Sequence, residues 1–289
     1  MRLEARAKIN WTLDILGQRP DGYHLMDMLM QPVTLCDEIT LTPAPAITLQ
    51  VTGSRIIPSD SRNLAFRAAE ALRSATGCAL GAAIRVHKRI PSGAGLGGGS
   101  ADAAGVLWGL NRLWNTGLSD GELERIGLTL GADVPFCLRG GLGRVGGIGE
   151  AITTLPEAPV WPLVIVQPCR GLSTAAVFRA YHDASEVQRP DTNAAQSALL
   201  AHDLTALAPA LGNALEGVSL AARPEIGQAI EALLALGARA ARMSGSGSAV
   251  FGVFDDADTA RRAAATLRPR WQRTHLCQSC RESLTQLEP

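Results

Sequence analysis

A glycine-rich loop between a predicted strand and a predicted helix restricts the folds open to this chain. Residues 83–88 alternate between apolar and polar side chains as a strand does, and residues 101–114 have the periodicity of a helix. Five of the ten residues from 91 to 100 are glycine. Glycine lets a backbone approach an anion closely, and free N–H groups at a helix N-terminus favour negative charge. The pattern predicts a phosphate cradle, with a flexible turn as the plainer alternative.

Two familiar nucleotide-binding motifs do not account for this loop. Gly93 to Gly98 formally matches the G-x-G-x-x-G spacing of dinucleotide-binding folds, but the position about 20 residues on, where such folds place an acid at a strand end, is Asp120 in a predicted helix start. A Walker loop needs a Gly-Lys pair, which the sequence lacks. A dehydrogenase is therefore disfavoured, and we interpret the loop as a phosphate cradle of another kind, with the Ser100 hydroxyl beside the phosphates.

A further glycine-rich turn, Ser-Gly-Ser-Gly-Ser at residues 244–248, lies between two predicted strands. By itself it is an ordinary hairpin turn. Beside a phosphate cradle, its backbone N–H groups would suit closure over a transferring phosphoryl group.

Lysine is rare in this chain, and one lysine lies in an informative pattern. Of 27 basic residues only Lys8 and Lys88 are lysine, so a compact point charge has been kept at two positions only. Residues 9–15 alternate strictly between apolar and polar side chains, which predicts a half-buried strand with a polar face. Lys8 and Asn10 would project from that face about 7 Å apart at Cα. For Lys88 the sequence leaves a functional role and no role equally open.

The other predicted elements interleave strands and helices. Strands are predicted over residues 9–15, 31–41, 47–52, 163–167, 249–254 and 273–277, with a turn and strand over 140–149. Helices are predicted over 64–74 with Asn63 as cap, from the capping box of Ser119 and Glu122 to about Gly131, in a run across 173–236, and over 257–267. Prolines interrupt any regular element near residues 154–162. We therefore predict two α+β domains, residues 1–154 and 155–289, that meet at a cleft.

Composition excludes several classes of function. The chain of 289 residues is 46% hydrophobic and carries 27 basic and 27 acidic residues, so no global field attracts nucleic acid or an anionic membrane. No apolar run reaches the ~18 residues that span a bilayer, and the N-terminus does not resemble a signal peptide. Six scattered cysteines indicate reduced thiols, and the Cys277–Cys280 spacing is assigned no role. We expect a cytoplasmic protein that acts on small molecules as a monomer or weak homodimer.

Five motifs together resemble a known family. Residues 7–10 (Ala-Lys-Ile-Asn), 21–24 (Asp-Gly-Tyr-His), 91–104, 131–136 (Gly-Ala-Asp-Val-Pro-Phe) and 244–247 are similar to those of the 4-diphosphocytidyl-2-C-methyl-D-erythritol kinases. These enzymes belong to the GHMP kinase superfamily, with galactokinase, homoserine, mevalonate and phosphomevalonate kinases. The resemblance implies an α+β, two-domain GHMP-kinase architecture. Its N-terminal domain would be ribosomal-protein-like and its C-terminal domain ferredoxin-like, with a cleft between them.

The resemblance also implies an activity. ATP would donate its γ-phosphoryl group to the 2-hydroxyl of 4-diphosphocytidyl-2-C-methyl-D-erythritol, with Mg²⁺, in the non-mevalonate route to isoprenoid and terpenoid precursors. Phosphoryl transfer asks a protein chiefly for positioning and charge stabilisation, which an acid, a lysine, a glycine cradle and a metal supply.

The resemblance implies a role for each motif. Asp133 would accept the hydroxyl proton, and Lys8 would neutralise developing charge. Asn10 would hold the acceptor, Tyr23, His24 and Phe178 would grip the cytidine, and Thr174 is a weaker substrate candidate. The ATP-binding residues would be Pro91, Ser92, Gly93, Ala94, Gly95, Leu96, Gly97, Gly98, Gly99, Ser100, Ala101, Gly245, Ser246 and Gly247. No side chain is assigned as a metal ligand, because a metal carried by the ATP phosphates and water needs none.

The residues leave alternatives open. Asp133 fits a helix-terminal turn acid, Tyr23 and His24 fit a plain turn, and Phe178 fits a core aromatic. Arg6, Ala94, Ala101 and Ala214 depart from the pattern expected of the family. The nearest rival is a sister kinase for homoserine or a mevalonate-like alcohol. A nucleotide or sugar sensor without catalysis is a rival of another class, although a binder needs neither Lys8 nor Asp133.

Overall fold

The computed structural model describes residues 1–54, 56–182, 184 and 187–288. The strands are β1 Arg2–Gln18, β2 His24–Ala44, β3 Thr48–Thr52, β4 Gly81–His87, β5 Gly143–Gly147, β6 Ala151–Thr154, β7 Pro162–Val166, β8 Gly212–Asn213, β9 Ala240–Met243, β10 Val250–Val253, β11 Thr274–Gln278 and β12 Leu284–Glu288. The helices are α1 Leu64–Thr76, α2 Gly98–Leu113, α3 Asp120–Leu130, α4 Val134–Arg139, α5 Thr174–His182, α6 Thr192–Ala201, α7 Leu204–Ala210, α8 Glu216–Ala222, α9 Pro224–Ala235 and α10 Ala257–Leu267.

Two sheets organise the described residues. The larger sheet runs in the order β12-β1-β2-β4-β3, with β5 joined to β2, β6 joined to β5, and β8 joined to β1. The smaller sheet has the order β11-β7-β10-β9 and is antiparallel throughout. Helices α1 and α2 pack together beside the larger sheet, while α9 and α10 pack on the smaller one. The two-sheet α+β arrangement predicted from the sequence is confirmed.

The first strand is longer and more deeply buried than its alternation predicts. It spans Arg2–Gln18, and both its apolar and its polar side chains are buried from Ala7 to Ile15. Trp11 packs edge-on against Phe251 of β10, with ring centroids 5.6 Å apart, and α2 covers Leu3. The prediction of a half-buried strand is therefore wrong, because alternation reports the polarity of a face and cannot report what covers it.

The helix after the glycine-rich loop begins earlier than predicted. Helix α2 starts at Gly98, three residues before Ala101, so the last glycines of the loop form its first turn. Gly97 precedes it with φ +69°, in the left-handed region that glycine enters without steric cost. The predicted cap at Asn63 and the predicted capping box of Ser119 and Glu122 are both confirmed.

The chain returns to its first sheet at the end. β12 pairs antiparallel with β1, and the short β8 pairs parallel with β1, so the larger sheet contains residues from beyond position 154. Sequence patterns missed both strands. The domain limits 1–154 and 155–289 stay a prediction, and the contributions of β8 and β12 belong to any description of them. Among the described residues no helix is long and apolar enough to span a membrane.

Candidate active site

A cavity of about 830 Å³ collects residues from both predicted domains. Its walls come from β1, β2, the glycine-rich loop, the residues before α4, helix α5 and the turn at 244–248. Every predicted catalytic and substrate residue lines it, namely Lys8, Asn10, Tyr23, His24, Asp133, Thr174 and Phe178. Residues far apart in sequence are thus brought to one site.

The acid and the lysine singled out in the sequence form an ion pair. Lys8 Nζ lies 3.3 Å from Asp133 Oδ2. The Lys8 side chain is 6% exposed and that of Asp133 is 34% exposed, so the carboxylate faces the cavity while the ammonium lies behind it. Asp133 is the residue before α4, and in the described structure its side chain makes no hydrogen bond that caps the helix. Its carboxylate is therefore available to a ligand.

Lys8 is fixed by its neighbours on the same strand. Its ammonium donates a hydrogen bond of 2.8 Å to Asn10 Oδ1. The pairing of β1 with β2 shifts register between Arg6 and Lys8 and again between Asn10 and Thr12, and such bulges re-aim side chains. A Cβ on Gly97 would lie 3.0 Å from Lys8 Cγ, so glycine leaves room for the lysine stem. Asn10, predicted to hold the acceptor, is thus also the group that orients the lysine.

The glycine-rich loop contacts the turn at 244–248 and the residue after it. Ala249 N donates to Ala94 O at 3.0 Å, and the Ser244 hydroxyl donates to Gly95 O at 3.0 Å. A Cβ on Gly95, where φ is +78°, would lie 2.0 Å from Ser244 O. The hairpin predicted for 244–248 joins β9 to β10 as expected, and Gly245, Ser246 and Gly247 line the larger cavity.

The same loop separates the larger cavity from a second one of about 370 Å³. Gly93, Gly95, Gly97 and Ser100 line both cavities. Every predicted ATP residue from Pro91 to Ser100 lines the smaller cavity, whereas Ala101 is 1% exposed within the hydrophobic core and lines neither. In the described structure no side chain caps α2, so N–H groups of its first turn are open to an anion. A nucleotide in the smaller cavity can direct its phosphates across the loop toward Asp133.

Lys88 lies in a buried ionic cluster at the base of this loop. Its ammonium donates to Asp37 Oδ2 and, at 2.5 Å, to Asp102 Oδ2. Asp37 Oδ1 accepts from the backbone N–H groups of Arg89 at 2.6 Å and Ile90 at 2.9 Å. Burial raises the pKa of Asp102 to about 8. The nearby Lys88 charge opposes this rise, and the Asp37 charge adds to it. The cluster ties the entry of the loop to the helix that follows it, so Lys88 has a positioning role that the sequence left open.

The residues predicted to bind the nucleobase lie at the far end of the larger cavity. The His24 and Phe178 rings stack with centroids 4.4 Å apart. Tyr23 lies at the rim and is 59% exposed. The Thr174 hydroxyl is 2.9 Å from the Ser246 hydroxyl and links α5 to the glycine turn. His24 and Phe178 are thus brought into contact, while Tyr23 is placed beside them on the open side.

Sequence reasoning missed two residues of this end. His182 and Arg179, both on α5, line the larger cavity, and His182 Nε2 is 2.8 Å from His24 Nε2. Helical spacing was the available signal, because residues four apart share a helix face and Phe178 and His182 have that spacing. The sequence alone could not show that this face meets His24.

A metal ion bound mainly by the protein does not fit the site. Within residues 1–54, 56–182, 184 and 187–288, no group of three or more histidine, cysteine or acidic side chains could hold one. A glycine-rich loop of the type that binds phosphates does fit Mg²⁺ that arrives on a nucleotide and keeps its waters.

Family models match both halves of the chain. The model for the GHMP kinases N terminal domain matches residues 63–141, and the model for GHMP kinases C terminal matches residues 195–272. The first match includes the glycine-rich loop and Asp133, and the second includes the turn at 244–248.

Curated relatives are similar over nearly the whole chain. A 4-diphosphocytidyl-2-C-methyl-D-erythritol kinase of Symbiobacterium thermophilum is 49% identical over 93% of this chain and 96% of its own length. One of Pelotomaculum thermopropionicum is 46% identical, covering 91% and 92%.

Solved structures agree with these sequence matches. A crystal structure of 4-(cytidine 5'-diphospho)-2C-methyl-D-erythritol kinase superposes with a TM-score of 0.83 at 37% identity, covering 96% of this chain and 99% of the other. A homoserine kinase from Cytophaga hutchinsonii has a TM-score of 0.75 at 18% identity, covering 99% and 96%, which shows a shared fold only. The chain therefore belongs to the 4-diphosphocytidyl-2-C-methyl-D-erythritol kinase family of the GHMP kinases.

Proposed function

We propose that this chain transfers the γ-phosphoryl group of ATP to the 2-hydroxyl of 4-diphosphocytidyl-2-C-methyl-D-erythritol, yielding the 2-phosphate and ADP for isoprenoid precursor synthesis. One observation carries the proposal: the Lys8–Asp133 ion pair of 3.3 Å stands in a cavity bounded by a phosphate-binding type of loop. Membership of the kinase family supports the same reaction.

The two cavities accommodate the two substrates. ATP occupies the smaller cavity, where the loop residues 91–100 surround it, and its γ-phosphate reaches the larger cavity past Gly95, Gly97 and Ser100. The acceptor lies in the larger cavity with its methylerythritol end toward Asp133 and its cytidine end toward His24 and Phe178. A volume of about 830 Å³ suits an acceptor of this size.

Asp133 and Lys8 divide the chemical work. The acceptor hydroxyl oxygen forms a bond to the γ-phosphorus as the bond from that phosphorus to the bridging β–γ oxygen breaks, and Asp133 takes the hydroxyl proton. The adjacent Lys8 ammonium stabilises the negative charge that develops on the acceptor and the transferring group. Asn10 holds Lys8 in place through the bond of 2.8 Å. ADP leaves with the electrons of the broken bond.

Mg²⁺ would bind together with ATP. When bound, it neutralises phosphate charge, while the backbone N–H groups at the start of α2 bind the phosphate oxygens. We also propose that the enzyme acts in the cytoplasm on small molecules without nucleic acid, as a monomer or weak homodimer, with domains near residues 1–154 and 155–289.

The proposal is tested by ADP release from Mg-ATP with four acceptor conditions. These are the cytidyl compound, homoserine, mevalonate and no acceptor. Release only with the cytidyl compound is the expected result. ADP release with homoserine or mevalonate would show that this alcohol is the acceptor instead. No ADP release with any acceptor, despite ATP binding, would favour a sensor.

A further inference from the structure

Two histidines meet edge to edge at the nucleobase end of the larger cavity. His24 Nε2 and His182 Nε2 are 2.8 Å apart, a hydrogen-bond distance, and both side chains line the cavity. The contact joins the start of β2 to the end of α5. No role in the proposed phosphoryl transfer uses His182.

One face of α5 holds the His24 ring from two directions. Phe178 stacks on the plane of the ring at 4.4 Å between centroids, and His182 bonds its edge. Because these two residues are four apart on a helix, they project to the same side. The His24 imidazole is thereby fixed in orientation before any base arrives.

We propose that His182 is a positioning residue for base recognition: it holds His24 through one shared hydrogen and so selects which pattern of donor and acceptor His24 presents to the nucleobase. The inference rests on the proposed function, because it takes the ligand to be a cytidine diphosphate compound.

The shared hydrogen couples the two rings. A neutral imidazole carries one N–H and one acceptor nitrogen, so the contact requires one Nε2 to donate and the other to accept. The role of His24 Nε2 in that bond decides whether its Nδ1 donates or accepts. Cytosine and uracil present opposite groups at the 3- and 4-positions of their edges. A His24 held in one tautomer therefore satisfies one base and leaves the other with an unmatched polar group.

The charge state of His24 makes its hydrogen bond with His182 sensitive to acid. Burial first, and His182 second, lower the pKa of His24, so its neutral form is favoured near pH 7. The other titratable or charged groups nearby are Tyr23 beside His24, Arg179 and Tyr181 on α5, and the Arg19–Asp21 pair in the preceding turn. Protonation of His24 puts an N–H on both of its ring nitrogens, so a bond in which its Nε2 accepts from His182 is lost. Binding of the cytidyl compound should then weaken as the pH falls through the lowered pKa of His24.

A pair of polar variants separates positioning from structure. The amide of His182→Gln extends about as far as the imidazole Nε2, whereas that of His182→Asn is one methylene shorter. Because His182 is exposed, neither substitution disturbs the core. The Kd values of CDP and UDP are measured by calorimetry at pH 7.5 and pH 5.5, and KM values are measured for ATP and the cytidyl compound.

We expect His182→Asn to weaken CDP binding about tenfold, which corresponds to the loss of one hydrogen bond. The preference for CDP over UDP should also decrease. We expect His182→Gln to retain most of the affinity and to bind CDP with less dependence on acid, because an amide can accept from a protonated His24. KM for ATP and kcat should change less than about twofold in both variants.

The outcomes distinguish this inference from the proposed function. Equal CDP affinity and equal CDP-to-UDP preference in wild type and both variants would overturn the role of His182, even if the cytidyl compound is phosphorylated. Absence of turnover with the cytidyl compound, together with a CDP preference that depends on His182, would support the role and overturn the proposed reaction.

Discussion

Lys8 Nζ and Asp133 Oδ2 lie 3.3 Å apart, although the lysine is on the first strand and the aspartate precedes α4. The ammonium is buried behind the carboxylate, and Asn10 orients it from the side. The pair therefore presents an acid to the cavity with its compensating charge already in place, which a binding protein would not need.

Asp133→Asn should nearly abolish phosphoryl transfer and leave ATP binding largely intact. The amide keeps the size of the side chain but cannot take the hydroxyl proton, so we expect kcat to fall by about 10²–10⁴-fold. ADP release measures the first effect, and calorimetric titration with Mg-ATP measures the second. Asp120→Asn, on the surface start of α3, is the control that should retain activity. Loss of ATP affinity together with catalysis would show that Asp133 serves the cradle rather than the acceptor.

Gly95→Ala should disrupt the nucleotide site. Its Cβ would lie 2.0 Å from Ser244 O, and φ at this position is +78°, so the loop and the turn at 244–248 must move apart. We expect KM for ATP to rise by at least about tenfold with a loss of thermal stability. Gly121→Ala in α3, where the added Cβ meets nothing within 4 Å, is the matched control and should be neutral or slightly stabilising. An unchanged KM for ATP in Gly95→Ala would show that the close approach of Gly95 to Ser244 does not matter for nucleotide binding.

Asp102→Asn should remove part of the pH dependence of folding stability. Because burial raises the pKa of Asp102 from 3.8 to about 8, the folded protein holds a proton that the unfolded chain releases between those values. The contribution of this proton to the free energy of unfolding is fully present below about pH 4 and is lost as the pH rises toward 8. We therefore expect the stability advantage of wild type over Asp102→Asn to decline from pH 6 to pH 8 and to level off above. Denaturant unfolding at pH 6, 7, 8 and 9 measures it, and an advantage that grows with pH would contradict the raised pKa.

Local patterns predicted much of this structure. The Asn63 cap, the capping box of Ser119 and Glu122 and the hairpin at 244–248 depend on neighbouring residues, and all three are present. The glycine-rich loop was also predicted correctly as a strand-to-helix connection, although glycines form the first turn of α2. These features are encoded within a few residues, where backbone preferences act directly.

Features that depend on distant residues were not predictable in the same way. Alternation along β1 gave its two faces, but burial of both depends on α2 and on Phe251 of the other sheet. β8 has two residues and is too short to be recognised without its partner β1. The meeting of His24 with His182 depends on how α5 packs, which no local spacing specifies. The resemblance supplied the roles of Lys8 and Asp133, and the fold supplies their distance.

The position of the transferred phosphate tests directly whether Lys8 and Asp133 place the 2-hydroxyl for attack. Wild-type protein is incubated with Mg-ATP and 4-diphosphocytidyl-2-C-methyl-D-erythritol, and the product is examined by phosphorus and proton NMR. The expected product carries one new phosphomonoester on the 2-hydroxyl and an intact cytidine diphosphate group, with one ADP released for each phosphate transferred. Phosphate on another hydroxyl, or inorganic phosphate alone, would contradict this expectation, because the Lys8–Asp133 pair would then not be placing the 2-hydroxyl for attack.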